Sequence, residues 1–311
     1  MLEAALILSR QLATMALYMG LGVILIRTKV FTEESKRHFT TFVLYVVSPL
    51  LSLSCFNFEY STDALKRFLL CMLISLIFHL ACIPVSFIAK IGSDPKILPS
   101  ERFSVIFGNT GFIGIPLCLG LLGTVGGFYC VAINVTFNLL IWSYGHALLG
   151  KVKGGRSLKN YLKLFHHPFF YLTGLGMVMY LLHLSFPAVV QDAVDSIGNM
   201  TSPLAMVACG MYLASYNAFK GFKHIRNYFI CALKLVVIPL LTLAVLRLIP
   251  MDRTMALTVL ITASAPMAAV SIFFSDGSNE RLERSMETFL MSVLLSIVTL
   301  PAIVGFASTV L

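Results

Sequence analysis

Apolar residues occupy this chain in long stretches separated by short charged connections, each stretch being about 20 residues or more, the length a helix needs to cross a hydrocarbon core roughly 30 Å thick. Ten such stretches are read, at 3–27, 38–58, 64–90, 101–122, 124–149, 159–183, 187–216, 224–249, 254–275 and 283–310. The pattern predicts an all-α membrane protein with ten transmembrane helices. Within the fourth stretch the apolar pattern is broken by Gly108-Asn109-Thr110-Gly111-Phe112-Ile113-Gly114-Ile115-Pro116, which carries three glycines, two hydrogen-bonding side chains and a proline. Backbone opened at membrane depth is tolerated only where it is buried in protein or lines a polar cavity, so the interruption points to a binding site and to a transporter.

Composition fixes the surrounding solvent. Hydrophobic residues make up 58% of the 311 and charged residues 12%, and the mean hydropathy is +0.88. One soluble core could not hide that much apolar surface, so lipid is the expected partner. The first stretch begins at Leu2 without a basic segment before it and is too long for the apolar part of a secretory signal, so it is expected to stay as a helix. All seven cysteines fall inside apolar stretches without paired spacing and read as small buried hydrophobes.

Basic residues are distributed unevenly across the two sides. One side collects the clusters at 27–37, 90–102, 151–163 and 220–226 with Arg281 and Arg284, while the other keeps Arg10, Lys66, Arg67, Arg247 and Arg253. Lys and Arg concentrate in cytoplasmic loops, so both termini are expected on the non-cytoplasmic side of a plasma membrane. The net charge of +9 is then a matter of topology, and nucleic-acid binding is not expected.

The chain also repeats itself. Ser48-Pro49-Leu50 returns as Ser202-Pro203-Leu204 at an offset of 154 residues, the segment ending in Pro84 returns in that ending in Pro239 at 155, and Pro116 matches Pro266 at 150. Five stretches per half is an odd number, so the halves 1–150 and 151–311 are expected to thread the membrane in opposite senses, as an inverted repeat.

The run Gly108 to Leu117 closely resembles the fourth-helix motif of the auxin efflux carrier family, which includes short-loop bacterial members. Ser48-Pro49-Leu50-Leu51, His167-Pro168, Pro203-Leu204 with Gly210, and Leu294 to Pro301 add weaker matches along the whole chain. The resemblance implies that helices 4 and 9 break at Pro116 and Pro266 and cross near the bilayer centre. It further implies a scaffold of helices 1, 2, 6 and 7, a mobile unit of helices 3–5 and 8–10, and organic anions such as malate, malonate or auxin-like acids as substrates. A homodimer through the scaffold helices is compatible with that division.

Helix ends released at such a crossing present unpaired N–H groups and a positive dipole end, which suits a carboxylate. Asn109 can donate from its amide, Thr110 offers a hydroxyl, and Gly111 and Gly114 admit close backbone approach. With Pro116, Ser264, Pro266 and Ser271 they form the candidate substrate site, though the polar residues at the break could equally hold helices together. The family usually carries an Asn four residues beyond the second proline; here Val270 stands there, which leaves few oxygen ligands for Na⁺. Asn134 and Asn138, one turn apart, are second-choice residues for ligand contact or polar packing.

His79 and Lys234 occupy equivalent points of the two halves and complete the second choices. His79 is read either as a proton-coupling group or as a hydrogen-bonded packing residue, and Lys234 either as positive potential for the anion or as a side chain snorkelling to the surface. No Asp or Glu is read within the core of any span. No cofactor or metal ligand set is found, and the motifs of ATP hydrolysis and intramembrane proteolysis are absent, so an enzyme is not expected. The reading is a secondary transporter of a small organic anion, with a non-transporting membrane receptor as the alternative.

Overall fold

The computed structural model describes residues 2–57, 60–149, 166–216, 218–275 and 279–311, and among these every regular element is helical. Helix α1 spans Leu2–Arg27. The second stretch folds as α2 (Glu33–Phe42) and α3 (Ser48–Ser54), joined through a π-helical turn at Val43–Val47. It starts five residues earlier than hydropathy alone places it, because the Thr32 side chain caps the amide of Ser35 and Glu33 and Glu34 favour the positive end of the helix.

Next come α4 (Thr62–Ser86), α5 (Leu98–Ile106) and α6 (Ile115–Leu140). Gly123 in α6 has φ +67°, ψ −162°, a conformation that side-chain-bearing residues avoid, and it divides the fourth expected stretch from the fifth. A π-turn at Ile141–Gly145 and the short α7 (His146–Leu148) finish the first half. The expected sixth stretch is seen as α8 (Pro168–Leu181), its first residues, 159–165, lying outside the described ones.

The seventh stretch is kinked into α9 (Ala188–Asn199) and α10 (Thr201–Ser215), since Pro203 has no N–H for the carbonyl of Asn199. After these follow α11 (Ile225–Ala232), a π-turn at Leu233–Val237, α12 (Ile238–Leu246), α13 (Arg253–Ser264), α14 (Val270–Ser275) and α15 (Asn279–Val310). Five of the described helical segments are long and apolar enough to cross a membrane: Leu6–Arg27, Thr62–Lys90, Thr110–Leu148, Ile225–Leu246 and Asn279–Val310. Leu69, Leu73, Ile77 and Leu80 lie exposed along one face of α4, an arrangement suited to hydrocarbon and not to water.

Three of the π-turns share one sequence cause. Val43–Val47, Thr110–Gly114 and Leu233–Val237 each end two residues before a proline, Pro49, Pro116 and Pro239. A proline ring collides with the carbonyl four residues back and offers no N–H to it. Widening the preceding turn relieves the collision, and the amides of Ser48, Ile115 and Ile238 instead reach the carbonyls of Val43, Thr110 and Leu233. Pro116 therefore sits inside a continuing helix, and the extended backbone lies ahead of it, at residues 107–109.

Two sets of helices pack closely within themselves. In one, α1 lies along α10, and α3 lies against α8 and α9; in the other, α4, α5, α6, α13 and α15 surround one another, and α1 joins the two by packing on α15 and α6 as well. The backbones of α1 and α10 nearly touch at Gly22 and Gly210, where a Cβ on Gly210 would stand 3.0 Å from the Cα of Gly22.

Two carboxylates depart from the expected absence of acids within the spans: Glu101 has a cation supplied from a distant part of the chain, and Glu287 has one on its own helix together with a distant amide donor. Glu101 of α5 is fully buried and accepts from Arg226 at 2.7 Å and from the Ser93 hydroxyl at 2.6 Å. Glu287 of α15 is 4% exposed, accepts from Asn227 at 2.9 Å and pairs with Arg284 at 3.4 Å. A buried carboxylate left alone would be expensive, so these pairs tie α5, α11 and α15 together at one end of the bundle.

Candidate functional site

Helices α5 and α13 both end before their stretches do, and the two interruptions meet. Asn109 N–H donates to the carbonyl of Pro266 at 2.7 Å and Ala268 N–H to that of Phe107 at 3.0 Å, so Gly108 and Met267 face each other as one antiparallel pair. These bonds take up backbone groups that the helix ends leave without partners. Asn109 itself has φ −79°, ψ 64°, and Thr110 N–H reaches back to Gly108 O at 2.9 Å, the geometry of an inverse γ-turn. The Asn109 carbonyl then accepts from Ile113 and Gly114, starting the helix that runs on into α6.

The side chain of Asn109 is left over from this arrangement. It is 3% exposed, and its Nδ2 has no hydrogen-bond partner among the described residues. It lines a narrow cavity of about 30 Å³, room for a water molecule or two, together with Gly111, Asn134, Asn138, Trp142 and His167. Gly111 is needed there, since a Cβ would sit 3.1 Å from Oδ1 of Asn134. That oxygen accepts from Asn138 Nδ2 at 3.2 Å, so the two asparagines are already engaged with each other.

His167 is not among the residues expected at the site, yet it is the second polar group with unused capacity. Its Nδ1 caps α8 by accepting from Phe169 N–H at 3.3 Å, which assigns the proton of the neutral ring to Nε2. Nε2 is buried without a partner, and the ring is held between Trp142 at 4.2 Å and Tyr45 at 4.4 Å between centroids. The signal available in the sequence is a polar residue directly before Pro168, the cap position of a helix with proline at its first turn. Two donors without acceptors thus line one cavity, and a group that accepts from both would satisfy them. His167→Asn keeps a good cap and removes the ring donor, so it is expected to leave thermal stability within about 0.5 kcal/mol while weakening roughly tenfold the binding of any ligand that accepts from the ring, as paired titrations of ligand and heat would show.

The other candidate residues have different surroundings. Thr110 and Gly114 are buried behind the cavity wall, with Gly114 against Cys130 and Thr262, and Pro116 lines a separate cavity. Pro266 contributes its carbonyl to the backbone pair, while the hydroxyls of Ser264 and Ser271 are buried without partners and outside the cavity lining. Val270 does line the cavity and makes that wall apolar.

His79 also lies outside it, its Nδ1 2.7 Å from Ser75 O, with aromatic neighbours Phe78, Phe107 and Phe137. Lys234 does not snorkel: it is fully buried and donates to Ala263 O at 3.3 Å in the last turn of α13. A cation at a helix C-terminus meets the negative end of its dipole. A Cβ on Gly108 would stand 2.9 Å from that ammonium, so glycine at 108 makes room for the lysine.

A profile of membrane transport proteins matches residues 7–304. The chain belongs to the membrane transport protein family. This is the family to which the auxin efflux carriers belong, and its members are membrane transporters and not enzymes. Among relatives of this family member, one from Methanocaldococcus jannaschii, named only as an uncharacterized transporter, is 23% identical over 195 residues, 60% of this chain and 62% of its own length. Another, from Rhizobium meliloti, whose name provisionally assigns it to malonate transport, is 26% identical over 206 residues, 64% of each chain. The chain thus spans less than two thirds of the length of each of these relatives.

Proposed function

We propose that this transporter is a secondary carrier of a small organic anion, a mono- or dicarboxylate of the malonate or malate type, held at the meeting of the two interrupted helices. The observation that carries the reading is the unpartnered Nδ2 of Asn109, buried in the cavity beside the first turn of a helix. The first turn of a helix and the positive end of its dipole favour a carboxylate, although Thr110 N–H is already taken by Gly108 O; His167 Nε2 adds a second donor. The relative provisionally named for malonate transport agrees with that choice of class.

The proposed architecture is ten spanning helices in two inverted five-helix halves, 1–150 and 151–311, with both termini on the non-cytoplasmic side of the plasma membrane. In support, Thr201 and Val47 are equivalent under the 154-residue offset, and the Thr201 hydroxyl donates to Val47 O at 3.2 Å, a contact between equivalent positions such as a two-fold axis produces. The α1–α3 and α8–α10 set would serve as scaffold, and the remaining helices as the unit that moves. A cavity of about 30 Å³ is too small for a dicarboxylate, so binding requires the wall contributed by His167 and Thr201 to part from Asn109. This is the displacement alternating access demands.

The test is uptake by proteoliposomes of a panel of C2 to C5 mono- and dicarboxylates, paired with thermal stabilisation of the purified protein. A ligand that binds only the folded state should raise the melting temperature, and the same acid should be carried. If no carboxylate is carried or stabilises the protein, while a neutral or cationic solute does, the anion reading fails.

A further inference from the structure

A second cavity, of about 500 Å³, lies between α1, the start of α6 and the junction of α9 with α10. It shares Leu51 and Thr201 with the small cavity, so the two stand back to back across these side chains. Pro116 lines its inner end, and Gln11 Nε2 donates to the Pro116 carbonyl at 3.2 Å, leaving Gln11 Oε1 buried without a partner. The hydroxyl of Ser202 is likewise unpartnered, in a residue 9% exposed.

Arg10 sets this cavity apart from a groove filled by lipid. It is the fifth residue of Leu6–Arg27, the segment apolar enough to cross the membrane, about 6 Å along a helix that rises 1.5 Å per residue. At such depth a guanidinium is retained where it is paired or where it faces a water-filled space, and Arg10 has no ion pair or side-chain hydrogen bond among the described residues. It lines the cavity on the same face of α1 as Gln11 and Thr14.

We propose that this cavity is a capture site for the carried anion, in which Arg10 holds a carboxylate, with the Ser202 hydroxyl as a second donor, before the ligand passes Leu51 and Thr201 to Asn109. The assignment rests on the carrier reading above for the identity of the ligand. A planar guanidinium binds a carboxylate through two parallel hydrogen bonds, which suits it to a first contact.

The experiment reads charge at Thr14, one turn from Arg10 on the cavity face. In Thr14→Cys protein in proteoliposomes, an anionic membrane-impermeant thiosulfonate is expected to react faster than its cationic counterpart, measured against the chain with Thr14 intact. Adding Arg10→Gln should lower the anion-to-cation rate ratio about tenfold, the effect of removing one unit charge a helical turn away, and Arg10→Lys should keep most of it. In transport, Arg10→Gln should lower the ratio of maximal rate to KM about tenfold, equally in both directions at zero driving force, as detailed balance requires.

No reaction at the introduced thiol, or a rate ratio indifferent to Arg10, would overturn the capture site. Asn109→Ala separates the two claims. If it leaves transport intact the carrier reading falls, whereas the charge preference of the thiol in Thr14→Cys judges Arg10 by itself.

Discussion

Replacing Asn109 with alanine is expected to cut carboxylate uptake at sub-saturating substrate by one to two orders of magnitude without unfolding the protein. The separation of the two effects follows from what each part of the residue does. Its backbone N–H and carbonyl hold the interruption together through Pro266, Ile113 and Gly114, and none of these bonds involves the side chain. Alanine accepts φ −79°, ψ 64° without strain, since φ is negative and the turn is an ordinary one. Removing a buried donor that has no partner also removes its desolvation penalty, so stability should hold or rise slightly.

A hydrogen bond to a charged acceptor is worth about 1.5–3 kcal/mol, so the ligand should bind roughly 10- to 150-fold more weakly. Asn109→Asp should be worse still, because it sets a carboxylate against the carboxylate to be carried. The measurements are initial uptake rates in proteoliposomes and a melting curve on the same preparation. Normal uptake by Asn109→Ala would remove this residue from the site, and a collapse of the melting curve would make its role one of folding.

Gly210→Ala, like Gly22→Ala facing it, is expected to cost the fold heavily, because each methyl group would enter the backbone of the other helix. The new Cβ at 210 would enter the space of the Met19 carbonyl, with the Met19 carbonyl carbon at 2.8 Å and the Gly22 Cα at 3.0 Å. These are backbone atoms of a neighbouring helix, and unlike the end of a side chain they cannot turn aside. Forcing atoms into a packed contact costs about 1–3 kcal/mol, and more where the backbone must shift. Gly20→Ala on α1 is the control: nothing lies within 4 Å of its Cβ position, and removing glycine from a helix interior should stabilise by about 0.4–1 kcal/mol. Thermal unfolding in one detergent should move Gly210→Ala and Gly20→Ala in opposite directions; equal shifts would mean the helices slide freely past each other.

How much of this can be read from the residue order depends on the range of the interaction. Gly108 to Pro116 declares itself because chain punctuation is local: glycine admits the turn, and proline forces the wide turn before it. The position of the break is less legible, since Pro116 marks the end of the accommodation and the extended residues come first. Val270 stands out in the sequence as the bare side of the site, and it does line the cavity.

His167 escapes a reading of the sequence because its chemistry depends on two facts that the residue order does not show together. One is the cap it makes to Phe169, and the other is the enclosure by Trp142 and Tyr45, both distant in the chain. Glu101 passes for the polar edge of a span for a similar reason. The cation that allows it to be buried, Arg226, lies 125 residues further on.

The two hydrogen bonds that join residues 107–109 to residues 266–268 run from main chain to main chain. Mutation exchanges side chains, and apart from a proline at 109 or 268 no exchange can delete either bond. The joint is therefore indifferent to most of the changes that would alter what it holds. Substitution at Asn109 or Val270 changes what lines the cavity while the joint that carries them keeps its shape, so the lining can vary without the fold having to be solved again.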